Sequence, residues 1–265
     1  MKMKVFGSQG FIGSHLVKYL LKLGHTVEEI HHNDQYEIKE ADFIFYLASY
    51  GNHYHQNDKY QTIKANIIDL YNLLKATRDL NYKGFIHFST SSVTLPVQTL
   101  YSDSKFVAEL ICKRYSRKYK KPIVSIRPYS VFGEGEAPFR FIPTIINYLG
   151  TGKVMKITEG YHDWIYVSDF VDAVIAIMNN INKVVGKCIS IGTGIQTSNL
   201  VVLRKMIDIS CKPLQTKFDT SVARSYDNNN WVADTTIIKS LGWKPKYTLE
   251  EGLRRVYEYS RKKDN

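Results

Sequence analysis

The chain reads as an α/β protein, a doubly wound parallel sheet with a smaller C-terminal lobe, and three observations carry that reading. Short apolar runs alternate with segments of helical periodicity for the first half of the chain, the first run breaks into a glycine-rich turn that opens a helix, and glycine and proline punctuation thickens after about residue 130. Alternating strand and helix demands parallel strands joined by helical crossovers.

The elements follow in order. Met3–Phe6 is a short apolar run ending at Gly7, and Phe11, Ile12, Leu16, Leu20 and Leu23 recur at helical spacing until Gly24. That is strand, turn and helix. Thr26–Ile30 predicts a second strand and Phe43–Ala48 a third, while the crossover from Ile30 to Asp42 is too short and polar for a full helix. Ile63, Ile67, Leu70 and Leu74 mark a helix before the strand Phe85–Thr90. Helices are then expected over Tyr101–Tyr119, Phe141–Leu149 and Val171–Met178, and strands over Ile123–Arg127 and Lys187–Ile191. The expected division is a parallel-sheet part over residues 1–170, to which 186–196 returns, and a lobe built mainly from 130–160 and 197–265.

Composition bounds the chemistry. With 265 residues, 44% hydrophobic and 23% charged, the chain can bury a large core and is neither a disordered segment nor a small disulfide-stapled module. Three cysteines, Cys112, Cys188 and Cys211, lie far apart without metal-ligand spacing, so free thiols and no metal are expected. No signal-peptide core and no apolar stretch of membrane-spanning length is present, which points to the cytoplasm and to no membrane partner. The net charge of +11 favours an anionic partner such as a nucleotide or sugar phosphate. The basic runs Lys113/Arg114/Arg117/Lys118/Lys120/Lys121 and Arg254/Arg255/Arg261/Lys262/Lys263 read as solvated helix faces before an RNA surface, and no nucleic-acid partner is expected.

Two motifs point to chemistry. In Gly7-Ser8-Gln9-Gly10-Phe11-Ile12-Gly13, Gly7 permits a tight turn, Gly10 lets backbone approach a pyrophosphate, and Gly13 lets helix pack on strand, with the helix N-terminus supplying partial positive charge. The end of the second strand, where a carboxylate normally grips an adenosine ribose, carries His31, His32 and Asn33, so a 2′-phosphate meets no repulsion and NADP is as admissible as NAD. In Tyr101-Ser102-Asp103-Ser104-Lys105 a phenol and an ammonium share one helix face, where the cation favours phenolate. Such a pair arises often by chance. Its weight comes from the strand Phe85–Phe88 running into Ser89-Thr90-Ser91-Ser92, since ligands of open α/β sheets bind at the carboxyl ends of strands.

Together these motifs resemble the extended short-chain dehydrogenase/reductases, a Rossmann-fold group, and within them the NAD-dependent epimerase/dehydratase family acting on nucleotide sugars. The resemblance extends through Arg127-Pro128-Tyr129-Ser130-Val131-Phe132-Gly133, His162-Asp163-Trp164-Ile165-Tyr166-Val167-Ser168-Asp169 and Leu241-Gly242-Trp243-Lys244-Pro245. It implies Tyr101 as catalytic acid/base, Lys105 on the nicotinamide ribose, and Thr90 orienting substrate, with Ser91 the alternative. It also implies Gly7, Gln9, Gly10, Phe11, Ile12, Gly13, His31, Leu47, Ala48 and Asn66 about an NAD or NADP cofactor, Asn66 by steadying the active-site backbone, and Ser91, Ser130, His162 and Arg224 about a nucleotide-sugar substrate. A homodimer is the family's expectation.

The departures narrow the reaction. Ser91 and Ser92 stand where water-eliminating members carry an Asp-Glu pair, leaving no acid and base for 4,6-dehydration. An epimerase or a keto-sugar reductase remains, the His31 position leaning toward NADP, and a catalytically silent nucleotide- or RNA-binding protein is the alternative from another class. Ser130 replaces the usual Asn, Glu134 a frequent Pro and His162 an Arg, while only ten residues separate Thr90 from Tyr101.

Overall fold

A computed structural model of the chain describes residues 1–31, 38–220 and 230–263. Its strands are β1 (Lys2–Phe6), β2 (Thr26–Ile30), β3 (Phe43–Tyr46), β4 (Gly84–Phe88), β5 (Ile123–Pro128), β6 (Ser130–Phe132), β7 (Val154–Ile157), β8 (Tyr161–Tyr166), β9 (Cys188–Ile191), β10 (Gln196–Ser198) and β11 (Gln215–Phe218). Its α-helices are α1 (Phe11–Lys22), α2 (Lys59–Ile63), α3 (Asp69–Ala76), α4 (Leu100–Tyr119), α5 (Phe141–Tyr148), α6 (Val167–Asn179), α7 (Asn199–Ser210), α8 (Thr236–Ser240) and α9 (Leu249–Lys263).

Six strands form one parallel sheet in the order β2-β1-β3-β4-β5-β9. Every residue of β3 and β4 is buried, as strands covered on both faces require. One face is packed by Leu16, Val17 and Leu20 of α1 with Phe170, Val174 and Ile177 of α6. The other is packed by Leu70, Leu73 and Leu74 of α3 with Ala108, Cys112 and Tyr115 of α4. Strand order reverses between β1 and β3, so the crevice at the switch point opens above the glycine turn.

The expected strands and helices are present with ends shifted by a few residues. The helix expected around Ile63–Leu74 is more irregular: α2 passes through a π-turn at Lys64–Ile68 into α3. The widened turn places Asn66, fully buried, toward the segment after β3. Between β2 and β3 the described residues 38–42 hold no helix, and His32, Asn33 and Asp34 lie outside the described residues.

The second half adds a three-stranded sheet, β10-β8-β6, and a parallel β7–β11 pair. Three of the distinctive segments here act as clamps. Arg127 forms a two-pronged pair with the buried Glu109 of α4, at 2.8 and 2.6 Å. Asp163, fully buried, accepts from the backbone N–H groups of Thr193, Gly194 and Ala233 and from the Thr193 hydroxyl. Trp243 donates its indole N–H to the Asp169 carbonyl, while the Asp169 carboxylate accepts from Lys246 and Tyr247 N–H. Buried carboxylates of this kind are tolerated because hydrogen bonds replace their hydration.

Candidate functional site

The glycine turn is shaped by contacts inside the chain and leaves one side open. Gly7 has φ +81°, and a Cβ there would lie 2.7 Å from Ala48 N. On Gly13 it would lie 2.2 Å from Gly7 O, whereas on Gly10 it would meet only that same oxygen at 3.4 Å. Gly7 and Gly13 are therefore fixed by packing against Leu47–Ala48 and the turn itself, and Gly10 is the position that leaves space for a ligand. Gly10 is also the N-cap of α1 with no side chain capping it and no acidic residue in the first turn, so the positive end of the helix is uncompensated. Gln9 is exposed, Phe11 and Ile12 are half-buried, and His31 is half-buried at the end of β2.

Four elements meet at Tyr101. Thr99 and Ser102 form a capping box that starts α4 and sets the helix phase, putting Tyr101 in its first turn and Lys105 one turn further. The Tyr101 phenol hydrogen-bonds the hydroxyls of Thr90 and Ser49. Thr90 ends the extended backbone after β4 and caps the short 3₁₀ turn Ser91–Thr94, with its hydroxyl 2.7 Å from Ser92 Oγ. Of the two candidate hydroxyls, Thr90 reaches Tyr101; Ser91 is buried.

Asn66 fastens this arrangement from below. Its amide donates to Tyr50 O and Ser104 Oγ, each at 2.8 Å, and its Oδ1 accepts from Tyr50 N at 3.0 Å; Ser104 in turn donates to Tyr101 O. Both amide hydrogens are spent inside the chain, so Asn66 holds the backbone around the site, as the resemblance implies.

Electrostatics divide the pair. Burial pushes the Tyr101 phenol up to about 12, against the opposing pull of the Arg140 charge and the two hydroxyls. Burial pulls the Lys105 ammonium down to about 8. Lys105 is expected from the sequence to lower the phenol; in the chain alone the opposing charge is that of Arg140, and desolvation outweighs it. Lys105 Nζ is buried and has no hydrogen-bond partner among the described residues. A buried donor of that kind calls for an acceptor from a ligand, and a ribose diol is one. With the open side at Gly10, the residues fit a nicotinamide dinucleotide laid across the switch point.

Two residues that act on the phenol, and a third beside one of them, carried no signal of their own in the sequence. Ser49 adjoins the Leu47–Ala48 run, Arg140 comes from the start of α5, and Glu136, beside Arg140, is driven to about 7 by burial. His53, Tyr54 and His55 cluster around Phe139, with ring centroids 5.0–5.5 Å away, joining the segment after β3 to the one before α5.

The positions implied for substrate are more dispersed. Ser130 is half-buried in β6, and His162 is buried with its ring 5.1 Å from Trp164 and 5.0 Å from Trp231; Arg224 lies outside the described residues. A cavity of about 410 Å³ opens beside the carboxyl ends of β5 and β9, lined by Thr94, Tyr129, Ser190 and Trp231 among others. A larger basic cavity, about 770 Å³, lies toward the other end of α4, with Lys113, Arg117, Lys120 and Lys187 in its wall.

Comparison with known proteins agrees with this fold. The profile of the NAD-dependent epimerase/dehydratase family matches residues 3–192. The chain belongs to this family. Within the family it is similar to the uncharacterized UDP-glucose epimerase YtcB of Bacillus subtilis, 27% identical over 98% of both chains. It is also similar to the dTDP-D-glucose 4,6-dehydratase of Mus musculus, 26% identical over 94% of this chain and 72% of that one. Among solved structures, UDP-glucuronic acid 4-epimerase from Bacillus cereus, in complex with UDP-glucuronic acid and NAD, superposes with TM-score 0.85, 24% identity and 99% coverage of each chain. RMD from Pseudomonas aeruginosa, complexed with NADPH, does so with TM-score 0.85, 18% identity and 99% coverage of each. The family's Rossmann-type parallel sheet, that of the extended short-chain dehydrogenase/reductases, is the fold described above.

Proposed function

We propose that the protein is a nucleotide-sugar epimerase that moves a hydride between a nicotinamide and one sugar carbon, with Tyr101 carrying the hydroxyl proton. The observation that supports this most is the meeting of the Tyr101 phenol with Thr90 Oγ1 at the end of β4, one helical turn from the buried Lys105. A nicotinamide dinucleotide, when bound, supplies the hydride acceptor and donor. The chain's own residues do the rest. Gly10 and the first turn of α1 hold the pyrophosphate, and Lys105 Nζ binds the ribose hydroxyls. Thr90 Oγ1 holds the sugar oxygen, and Tyr101 Oη takes its proton on oxidation and returns it on reduction. The positive charge of Arg140 and the hydroxyls of Ser49 and Thr90 favour the phenolate that must form.

Reduction of a keto sugar with NADPH is the second reading, and it rests on His31 standing where a carboxylate would repel a 2′-phosphate. Against a 4,6-dehydratase, Ser91 is buried and Ser92 Oγ is engaged by Thr90, so neither offers a titratable acid or base. No described helix is long and apolar enough to cross a membrane. We place the protein in the cytoplasm, where nucleotide sugars and both cofactors occur, and read it as a homodimer. Phe106, Val107 and Leu110 of α4 and the neighbouring Ile68 and Tyr71 leave an exposed apolar face, and a second copy is the occupant we assign to it. The test is incubation with UDP-, dTDP-, GDP- and CDP-hexoses and each cofactor, followed by product identification. Epimeric product with cofactor returned unchanged is expected, and conversion of none of them refutes the reading.

A further inference from the structure

Beyond the catalytic groups, the flank of α4 nearest β9 carries positive charge that the described chain leaves unbalanced. Lys113 and Arg117 share one stripe of the helix, and Lys120, its left-handed C-cap at φ +52°, continues the row. The turn leading into β9 brings Lys187 to the same place, the cavity of about 770 Å³. Gly186, with φ +72°, lets that turn pass close to the helix, where a Cβ on it would lie 3.8 Å from Ser116 Oγ. Both walls are pinned: Ser116 Oγ donates to Lys121 O at 2.7 Å, and Gly186 N–H donates to Ile123 O at 2.8 Å.

No carboxylate lines this cavity. Glu109, on the same helix, is buried and held by Arg127. None of the side chains of Lys113, Arg117, Lys120 and Lys187 makes a salt bridge or hydrogen bond with a described residue. Cations at a helix C-terminus offset the macrodipole, which accounts for Arg117 and Lys120. It does not account for Lys113, about two turns before the end, or for Lys187 on another element. Like charges gathered around a concavity repel one another until an anion lies between them.

Size and surroundings select the anion. About 770 Å³ lies within the range of roughly 300–1,000 Å³ that small-molecule sites occupy, and exceeds what one phosphate needs. A chain of phosphates can reach all four cations, and Val185 and Ile237 add an apolar patch to the wall. The basic run does not continue as a track for a nucleic-acid backbone. Lys118 lies over the Tyr119 ring at 5.2 Å, while Lys121 Nζ donates to Leu80 O at 2.7 Å and lies over the Tyr82 ring at 5.4 Å.

We propose that this cavity binds a small anion carrying a chain of phosphates, at a site separate from the catalytic one. Lys113 follows Lys105 by eight residues, about 12 Å along the helix, so such a ligand does not reach the catalytic groups. It does touch Arg127, Cys188 and Ile237, which also line the cavity of about 410 Å³ at the carboxyl ends of β5 and β9. The site does not depend on the reaction assigned above.

The test is calorimetric titration of the full chain with tripolyphosphate and with ATP, each free of divalent metal, alone and with NADH or NADPH at saturation. Binding should persist beside the cofactor. Replacing two exposed cations, Lys113→Ala with Arg117→Ala, should weaken it about tenfold, and Lys113→Arg with Arg117→Lys should retain it. Arg261→Ala with Lys262→Ala removes the same charge from an exposed stretch of α9 that does not line the cavity, and should leave affinity within about twofold. Equal affinity for the two probes would mark the phosphate chain as the recognised part, and tighter ATP would add its nucleoside. Three results overturn the proposal: binding of neither probe, loss of binding when cofactor fills the glycine turn, or equal weakening by the α9 pair. Mixed-sequence RNA binding where neither probe binds would make this face a nucleic-acid surface instead, and also overturns it.

Discussion

Asn66→Ala should separate a residue that fastens the site from one that merely fills space. The substitution removes three hydrogen bonds at once, two donated and one accepted, and it leaves Tyr50 N–H, Tyr50 C=O and Ser104 Oγ short of a partner. At about 1 kcal/mol net for each bond, and more where the deserted group stays dry, the loss comes to about 2–4 kcal/mol. Tyr50 is only half-buried, so water recovers part of its share, which argues for the lower half of that range. For a chain of this size the loss corresponds to a fall in Tm of roughly 4–10 °C. Ser104→Ala deletes one of the three bonds and should cost about a third as much. Because Ser104 also binds Tyr101 O, loosening it displaces the phenol, and misplacement of about 1 Å costs on the order of 10²-fold in kcat/KM. Thermal and urea unfolding of the ligand-free variants, with steady-state kinetics on the same preparations, provide the readout. An Asn66→Ala protein within about 0.5 kcal/mol of wild type and within twofold in kcat/KM would refute the reasoning.

The remaining predictions concern the chemistry. Tyr101→Phe should keep the fold and cofactor affinity while lowering kcat by about 10²–10⁴-fold, the usual effect of losing a positioned proton donor; near wild-type turnover would remove Tyr101 from that role. The protein should form no 4-keto-6-deoxy product from UDP-, dTDP-, GDP- or CDP-hexoses, because Ser91 and Ser92 supply neither acid nor base. The alkaline absorbance of such a keto sugar in NAD-loaded reactions would show that another pair, with Glu136 first in line, performs the elimination. Calorimetric titration of cofactor-free protein should show NADPH binding at least as tightly as NADH, because His31 offers a 2′-phosphate no charge repulsion; a tenfold preference for NADH would show that a carboxylate near the end of β2 takes the ribose.

What could be read from the sequence is what local pattern encodes. The βα alternation, the three glycines and the Tyr-x-x-x-Lys phase are statements about residues within one turn or one strand, and each stands in the structure at its expected place. The Ser49 and Arg140 contributions depend on chain segments about 40 to 50 residues from Tyr101, and no spacing rule joins them to it. The π-turn is invisible because periodicity tolerates one extra residue, yet it is what aims Asn66. His87 reads as one more member of an apolar strand, and only the register of Tyr46 and Ser125 beside it reveals its partners. The parallel pairing of β11 with β7 joins two runs of four residues, Gln215–Phe218 and Val154–Ile157, that lie far apart in the chain and are too short for a pattern to announce a sheet.

The Asp163 clamp bears on how the chain is made. Its carboxylate gathers atoms from residues 193, 194 and 233, whereas the six-stranded sheet needs nothing beyond Ile191. A ribosome delivering about 5–20 residues per second leaves an interval of roughly 2–8 s in which the sheet is complete and Ala233 has not been synthesised. Throughout it a buried acid lacks one of its four donors, and the corner between β8 and β9 is unlatched. Nascent chains arrested between these points should therefore be cut by protease at that corner while the sheet resists, and the arrival of the last forty residues should close it.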